Sequence, residues 1–162
     1  MTASLFPWVR TLHILMAASW LGAGALLTLY LLPTLRRLGP AGQPTLRSLE
    51  GLGLSKFMAA NGGLTMLSGL WLYWVLTAGF NADVVRSPTG LVFGIGGVAG
   101  ILAGIIGGAV IGRSIKRLDA LGEGPANGPE AVALHQRIAN ASRLALALLL
   151  VAVVAMSLGH TV

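Results

Sequence analysis

The 162-residue chain has no cysteine and only five acidic residues, and charged side chains make up 10% of it. Without cysteine there is no disulfide framework and no thiolate site for a metal or an iron–sulfur cluster. Any metal or cofactor must therefore be held by His, Met or carboxylate. The carboxylates Glu50, Asp83, Asp119, Glu123 and Glu130 all fall between the apolar runs, and none lies inside one. That argues against a proton-coupled transporter built on a buried Asp or Glu. The chain also lacks a catalytic Ser, Cys or Asp constellation, and its richest glycine stretch, residues 94–112, lacks the Lys-Ser/Thr ending of a phosphate loop.

What the chain does have is apolar. Hydrophobic residues make up 55% of it and the mean hydropathy is +0.80, outside the range of an ordinary globular domain. Four segments, residues 6–32, 57–79, 90–112 and 142–161, meet the requirement of roughly 20 apolar residues for a membrane helix. The first starts close to Met1 but is too long for a signal peptide and lacks a small-residue cleavage pattern, so it is expected to be retained. Pro33 predicts a kink or stop before "TLRRLG". Pro129 followed by Glu130 reads as a helix start, so the fourth helix is expected to begin outside the membrane and run in continuously. The expected fold is all-α: one domain over residues 1–162, a four-helix transmembrane bundle.

Basic residues set the expected orientation. Arg36, Arg37, Arg47, Lys56, Arg113, Lys116, Arg117, Arg137 and Arg143 flank the first and third connections, whereas only Arg10 and Arg86 lie on the other side. This bias puts the long connections inside and both termini on the outer, periplasmic or extracellular, side. The same bias accounts for the net charge of +6, so nucleic acid is not an expected partner.

Within "GIGGVAGILAGIIGGAVIG", residues 94–112, a glycine recurs at every fourth position: Gly96, Gly100, Gly104, Gly108 and Gly112. In water each would cost about 1 kcal/mol relative to alanine. In lipid the backbone keeps its own hydrogen bonds, and the bare face lets a neighbour come close. Three uses fit: packing on a neighbouring helix, a second copy or a larger membrane complex; a flat ligand such as a porphyrin lying in the groove; or a flexible, gating element.

Two of the three histidines lie in membrane segments. His13 and His160 fall in the same outer half, about 9 Å and about 13 Å outward of their helix midpoints at 1.5 Å per residue, so tilted helices can bring both imidazoles to one iron. His13, Ala17, Trp20 and Gly24 share a stripe on the first helix, and His160, Met156, Val153 and Leu149 share one on the fourth. His13 is a candidate haem or metal ligand, a partner in an interhelical hydrogen bond, or a proton-transfer group. Arg10, one turn outward, is placed either to pair with a haem propionate or to snorkel to the headgroups. Met16 and Met156 with either histidine offer a softer set suited to copper. The third histidine, His135, sits on the polar extension of the fourth helix and is expected to be solvated or to face the headgroups. Asn61, Thr65 and Ser68 form a polar row on the second helix, expected to bond across helices. It ends in "GLWLYW", an aromatic belt where a quinone or lipid could dock.

The segment "WVRTLHILMAASWLGAG", with Trp8, His13, Trp20 and Gly22, resembles the opening of a group of small bacterial membrane proteins that includes CopD-like copper-resistance proteins and HemJ-type protoporphyrinogen oxidases. Weaker similarity continues into "MLSGLWLYW" and "LLVAVVAMSLG". The resemblance implies a four-helix bundle in the bacterial inner (cytoplasmic) membrane in which His13 contacts haem b or a related tetrapyrrole. Together with the two histidines on one side and their small-residue surroundings, it leads to an expected role in electron transfer or a membrane redox step, with a redox partner or quinone. The oxidase branch places a functional lysine in the third membrane helix, which carries none in this chain.

Overall fold

The computed structural model describes residues 2–121, 128–159 and 161, and these are helical with no strand among them. Helix α1 runs through Thr2–Leu26, a π-helical turn at Leu27–Leu31 and Leu32–Arg37. Helix α2 is Gly42–Gly51, α3 is Leu54–Leu76 and α4 is the short Ala82–Val85. Helix α5 runs through Pro88–Ile105, a second π-helical turn at Ile106–Gly112 and Arg113–Ala120. Helix α6 is Pro129–Leu158, unbroken from its proline start through its apolar run. Helix α1 packs on α3 and α5 on α6; α3 against α5 and α1 against α6 complete the bundle.

Helices begin and end where local chemistry directs them. Gly53, at φ 91°, turns the chain into α3. The Ser87 hydroxyl accepts from Gly90 N at 3.1 Å with Pro88 in the first turn of α5, so a capping side chain and a fixed φ start the helix together. Ala78, Gly79 and Phe80 all have positive φ, which reverses the chain after α3. Thr77 anchors that reversal: fully buried, it donates to Tyr73 O at 2.7 Å and accepts from Phe80 N at 3.1 Å.

Pro33 neither stops nor ends α1. The helix widens ahead of it, with Leu32 N–H bonding back to Leu27 O, and then continues to Arg37. A proline cannot donate to the preceding turn, and a π turn changes the hydrogen-bond register at that point without breaking the helix. The Thr34 hydroxyl also bonds to Tyr30 O at 2.7 Å.

Three helices, Ser4–Arg37, Pro88–Ala120 and Pro129–Leu158, are long and apolar enough to cross a membrane, and most of each apolar window stays uncovered by protein. The chain therefore has the character of a membrane protein. Helix α3 is shorter, at 23 residues, and carries the polar Asn61, Thr65 and Ser68. Those groups are satisfied: among the described residues no buried side-chain N or O lacks a hydrogen-bond partner.

The core is built of small residues and one large ring. Trp20, Ala103 and Leu149 form its centre, flanked by Met58, Ala145 and Leu148. The Trp20 indole lies flat on Gly62, where a Cβ would come within 3.0 Å of Cε2 and 3.1 Å of Cζ2. Gly62→Ala is accordingly expected to destabilise the protein by about 1–3 kcal/mol, the usual range for overpacking. Gly63→Ala, where a Cβ meets nothing within 4 Å, should stay within about 0.5 kcal/mol. Equilibrium unfolding in detergent measures both, and equal effects would contradict the packing.

Candidate functional site

The first-helix stripe faces the bundle interior. Gly24 lies 3.9 Å, at its Cβ position, from Leu149 Cδ1 and Met58 Cε, and Ala17 is half-buried. Trp20 is 7% exposed. The indole fills the space between Gly62 of α3 and Gly104 of α5, so its ring is committed to packing. Arg10, one turn N-terminal to His13, is exposed.

His13 is half-buried against α3. Its Nδ1 lies 3.0 Å from Thr65 O and 3.1 Å from Ser68 Oγ. A carbonyl oxygen can only accept, so Nδ1 must carry the hydrogen and donate. The Ser68 hydroxyl donates to Leu64 O at 2.5 Å, which leaves its lone pairs for His13. In the neutral ring Nε2 then has the free lone pair, the form of imidazole that binds metals. A backbone carbonyl on the far nitrogen is the usual device for orienting a ligating histidine. The ring edge rests on Gly69, where a Cβ would stand 2.8 Å from Cε1 and 3.3 Å from Nδ1.

The rest of the polar row on α3 turns inward on its own helix instead of crossing to a neighbour. Asn61 donates to Phe57 O at 2.8 Å and Thr65 to Asn61 O at 2.7 Å. Short hydroxyl and amide side chains reach the carbonyl one turn back more readily than a neighbouring helix. Only Ser68 and the Thr65 carbonyl meet another helix, and both do so through His13. At the end of α3, Trp71 is tilted on Phe6 with centroids 6.5 Å apart, and the Tyr73 hydroxyl donates to Gly90 O at 3.1 Å.

The glycine row of α5 serves more than one neighbour. A Cβ on Gly96 would come within 3.1 Å of Ala155 Cβ and of Met156 Cε, on α6. One on Gly104 would come within 2.7 Å of Met66 Sδ and 3.6 Å of the Trp20 ring. Gly100 and Gly108 meet nothing within 4 Å among the described residues, and Gly112 meets only Gly107 O of its own turn, at 3.5 Å. Residues four apart are rotated by about 40° around a helix, so the row turns from α6 toward α3 as it descends. Gly97 and Gly107, off the row, are also uncovered.

These contacts fix a common level. On α3, Ser68 and Gly69 lie between Met66, which meets Gly104, and Tyr73, which meets Gly90 and Gly94; on α5, Gly97 and Gly100 lie between Gly94 and Gly104. His13 and the uncovered Gly97 and Gly100 thus share one layer of the bundle. His160 lies outside the described residues. Among those residues no group of three or more His, Cys, Asp or Glu forms that could hold a metal. Half-buried His135 bonds through Nδ1 to Ala131 O at 2.7 Å and lines a small cavity, so it is not simply solvated. Comparison with family models, curated proteins and solved structures yields no match to the chain.

Gly62, Gly69 and the Thr65 carbonyl are the site features that sequence reasoning passed over. Their signal was present as a matched spacing: His13 and Trp20 are seven apart on α1, as are Gly62 and Gly69 on α3. Nitrogen NMR of 15N-histidine-labelled protein in detergent, assigned with a His13→Gln variant, is expected to show His13 as the Nδ1–H tautomer. An Nε2–H tautomer would overturn the hydrogen-bond assignment.

Proposed function

We propose that the chain is a four-span protein of the bacterial inner membrane, both termini outward, that binds one haem b through His13 and serves electron transfer or a membrane redox step. The observation that carries this reading is the His13 imidazole, its Nδ1–H engaged by Thr65 O and its Nε2 left with a lone pair. Imidazole in this state is a normal axial ligand of haem, and haem supplies one-electron chemistry when bound. Gly97 and Gly100 offer bare backbone at the same level, which suits a flat macrocycle better than a row of side chains does. Arg10, one turn outward, is suited to a propionate, and His160 is the candidate for a second ligand. Helix α3, whose polar groups bond internally, completes the four spans, and the basic ends of the long connections support the orientation.

The methionines favour haem over copper. Met58, Met66 and Met156 approach Gly24, Gly104 and Gly96 respectively, so their thioethers are distributed along the bundle instead of gathered around one point. A second reading, a cofactor-free packing subunit of a larger complex or a homo-oligomer, draws on a different observation. Gly107 and Gly108 have nothing within 4 Å at their Cβ positions and could admit a further helix.

The reduced-minus-oxidised absorption spectrum of protein purified in detergent after haem-replete expression is expected to show a b-type haem band. His13→Ala should abolish that band while the chain still inserts; a wild-type protein with no band rejects haem binding. Under the packing reading, Gly108→Leu should abolish self-association or partner co-purification, and unchanged association rejects it.

A further inference from the structure

At its basic end the bundle exposes leucines beside charges. Gly24 of α1 meets Met58 of α3 and Leu149 of α6, which marks one layer across three helices. At 1.5 Å per residue, exposed Lys56 lies about 3 Å beyond that layer on α3, and exposed Arg143 about 9 Å beyond it on α6. The apolar surface gives way to charge at this depth.

Helix α2 occupies the zone that follows. A Cβ on its first residue, Gly42, would collide with the carbonyl of Leu35, which lies about 16 Å past the layer on α1. Its other end leads through Gly53 into α3 at Leu54, about 6 Å past the layer. A ten-residue helix is about 15 Å long, so α2 lies aslant over a depth that matches the change from hydrocarbon to headgroups.

The side chains of this segment are sorted accordingly. Leu46 and Leu49 are half-buried, whereas Thr45, Arg47 and Ser48 are exposed. The residues that flank the helix break the pattern: Leu38 is 50% exposed, and Leu52, between Gly51 and Gly53, is 84% exposed. A lone exposed leucine is ordinary on a protein surface. Two of them at the ends of one surface helix, among cations, match a helix lying in a lipid interface, with apolar groups at the acyl boundary and Lys or Arg at the phosphates. From Arg36 to Lys56 the chain has four basic residues, all exposed, and one acidic residue, half-buried Glu50. The one salt bridge among the described residues, Arg117 to Glu130, uses none of them. Hydrocarbon for the leucines and anions for the cations are both supplied by a leaflet that contains anionic lipid.

We infer that residues 38–56, with Arg37, form an interfacial anchor for anionic lipids of the surrounding leaflet, Leu38 and Leu52 entering the acyl boundary and Arg37, Arg47 and Lys56 meeting lipid phosphates. The inference rests on the membrane character of α1 and α5 and is independent of haem binding. Apolar insertion sets the depth of such a helix, and charge sets its choice of lipid.

Because the chain has no cysteine, single labels can be placed without other changes. Leu52→Cys, labelled with bimane, is examined in nanodiscs of equal phosphatidylglycerol and phosphatidylcholine, with acyl-chain bromines carried by one lipid or the other. Bromines on phosphatidylglycerol should quench position 52 about two- to five-fold more than bromines on phosphatidylcholine, and adding Arg47→Gln with Lys56→Gln should remove that preference. Aqueous acrylamide should quench position 52 several-fold less than a label at Ala133→Cys, exposed on α6 about 24 Å beyond Leu149. Equal quenching by the two lipids, a preference retained in the double charge variant, or acrylamide access equal to that at position 133 would each overturn the inference. Val98→Cys, exposed on the apolar run of α5, should be quenched equally by bromines on either lipid. Absence of quenching there would overturn the membrane reading itself, and the anchor with it.

Discussion

Two rings of α1 seated on two bare backbone positions of α3 set the spacing on which the rest of the bundle depends. The His13 imidazole lies on Gly69 and the Trp20 indole on Gly62, at 2.8 Å and 3.0 Å from the missing Cβ atoms. In lipid, apolar side chains gain nothing by leaving hydrocarbon, so helix association relies on close packing and interhelical hydrogen bonds. This pairing supplies both. The seven-residue spacing of the rings matches that of the glycines, so register and separation are set at two points, and the bond to Thr65 O fixes the imidazole in one tautomer. One nitrogen of the ring is thereby structural, and the other keeps its lone pair.

The interlock also explains the uneven use of glycine on α5. Trp20 projects past Gly62 far enough to reach Gly104, where Met66 closes the remaining space. One layer toward the start of α5, Gly97 and Gly100 have no such ring above them, because His13 is shorter than Trp20 and is drawn back onto α3 by its hydrogen bond. Below Gly104 the helix enters a π turn over Ile106–Gly112, where three glycines provide no side chains to hold the ordinary register. The apolar ladder is thus a sequence of distinct environments: helix contact, open layer, ring contact and widened turn.

Much of the architecture was legible in the sequence because it follows from length and periodicity. The apolar runs appear as helices and α6 starts at Pro129, where hydropathy and the proline put them; that the stripe of His13, Ala17, Trp20 and Gly24 turns inward is what the structure adds. Glycine was harder to read. A glycine reports that something approaches, not what does, and the regular row on α5 outweighed the pair on α3 that holds the rings. The polar row of α3 was misread for a related reason: Asn61 and Thr65 can reach a neighbouring helix or their own preceding turn, and spacing alone does not choose. Pro33 forced a change of register and not a break, since the widened turn at Leu27–Leu31 lets the chain continue.

The two ends of the molecule then have different characters. One end joins its helices by aromatic contacts, Phe6 with Trp71 and Tyr73 with Phe80, and by the Tyr73 bond to Gly90 O. The other carries most of the basic residues, a small cavity and a satellite core of Leu118, Ala131 and Leu134. Both depend on α1 and α3 being held at ring distance along their shared length. A double-mutant cycle on His13→Ala and Gly69→Ala, followed by equilibrium unfolding in detergent, tests that claim most directly. Removing the ring should relieve the clash that Gly69→Ala creates, so the two effects are expected to depart from additivity by about 1 kcal/mol or more; additivity within about 0.5 kcal/mol would contradict the interlock.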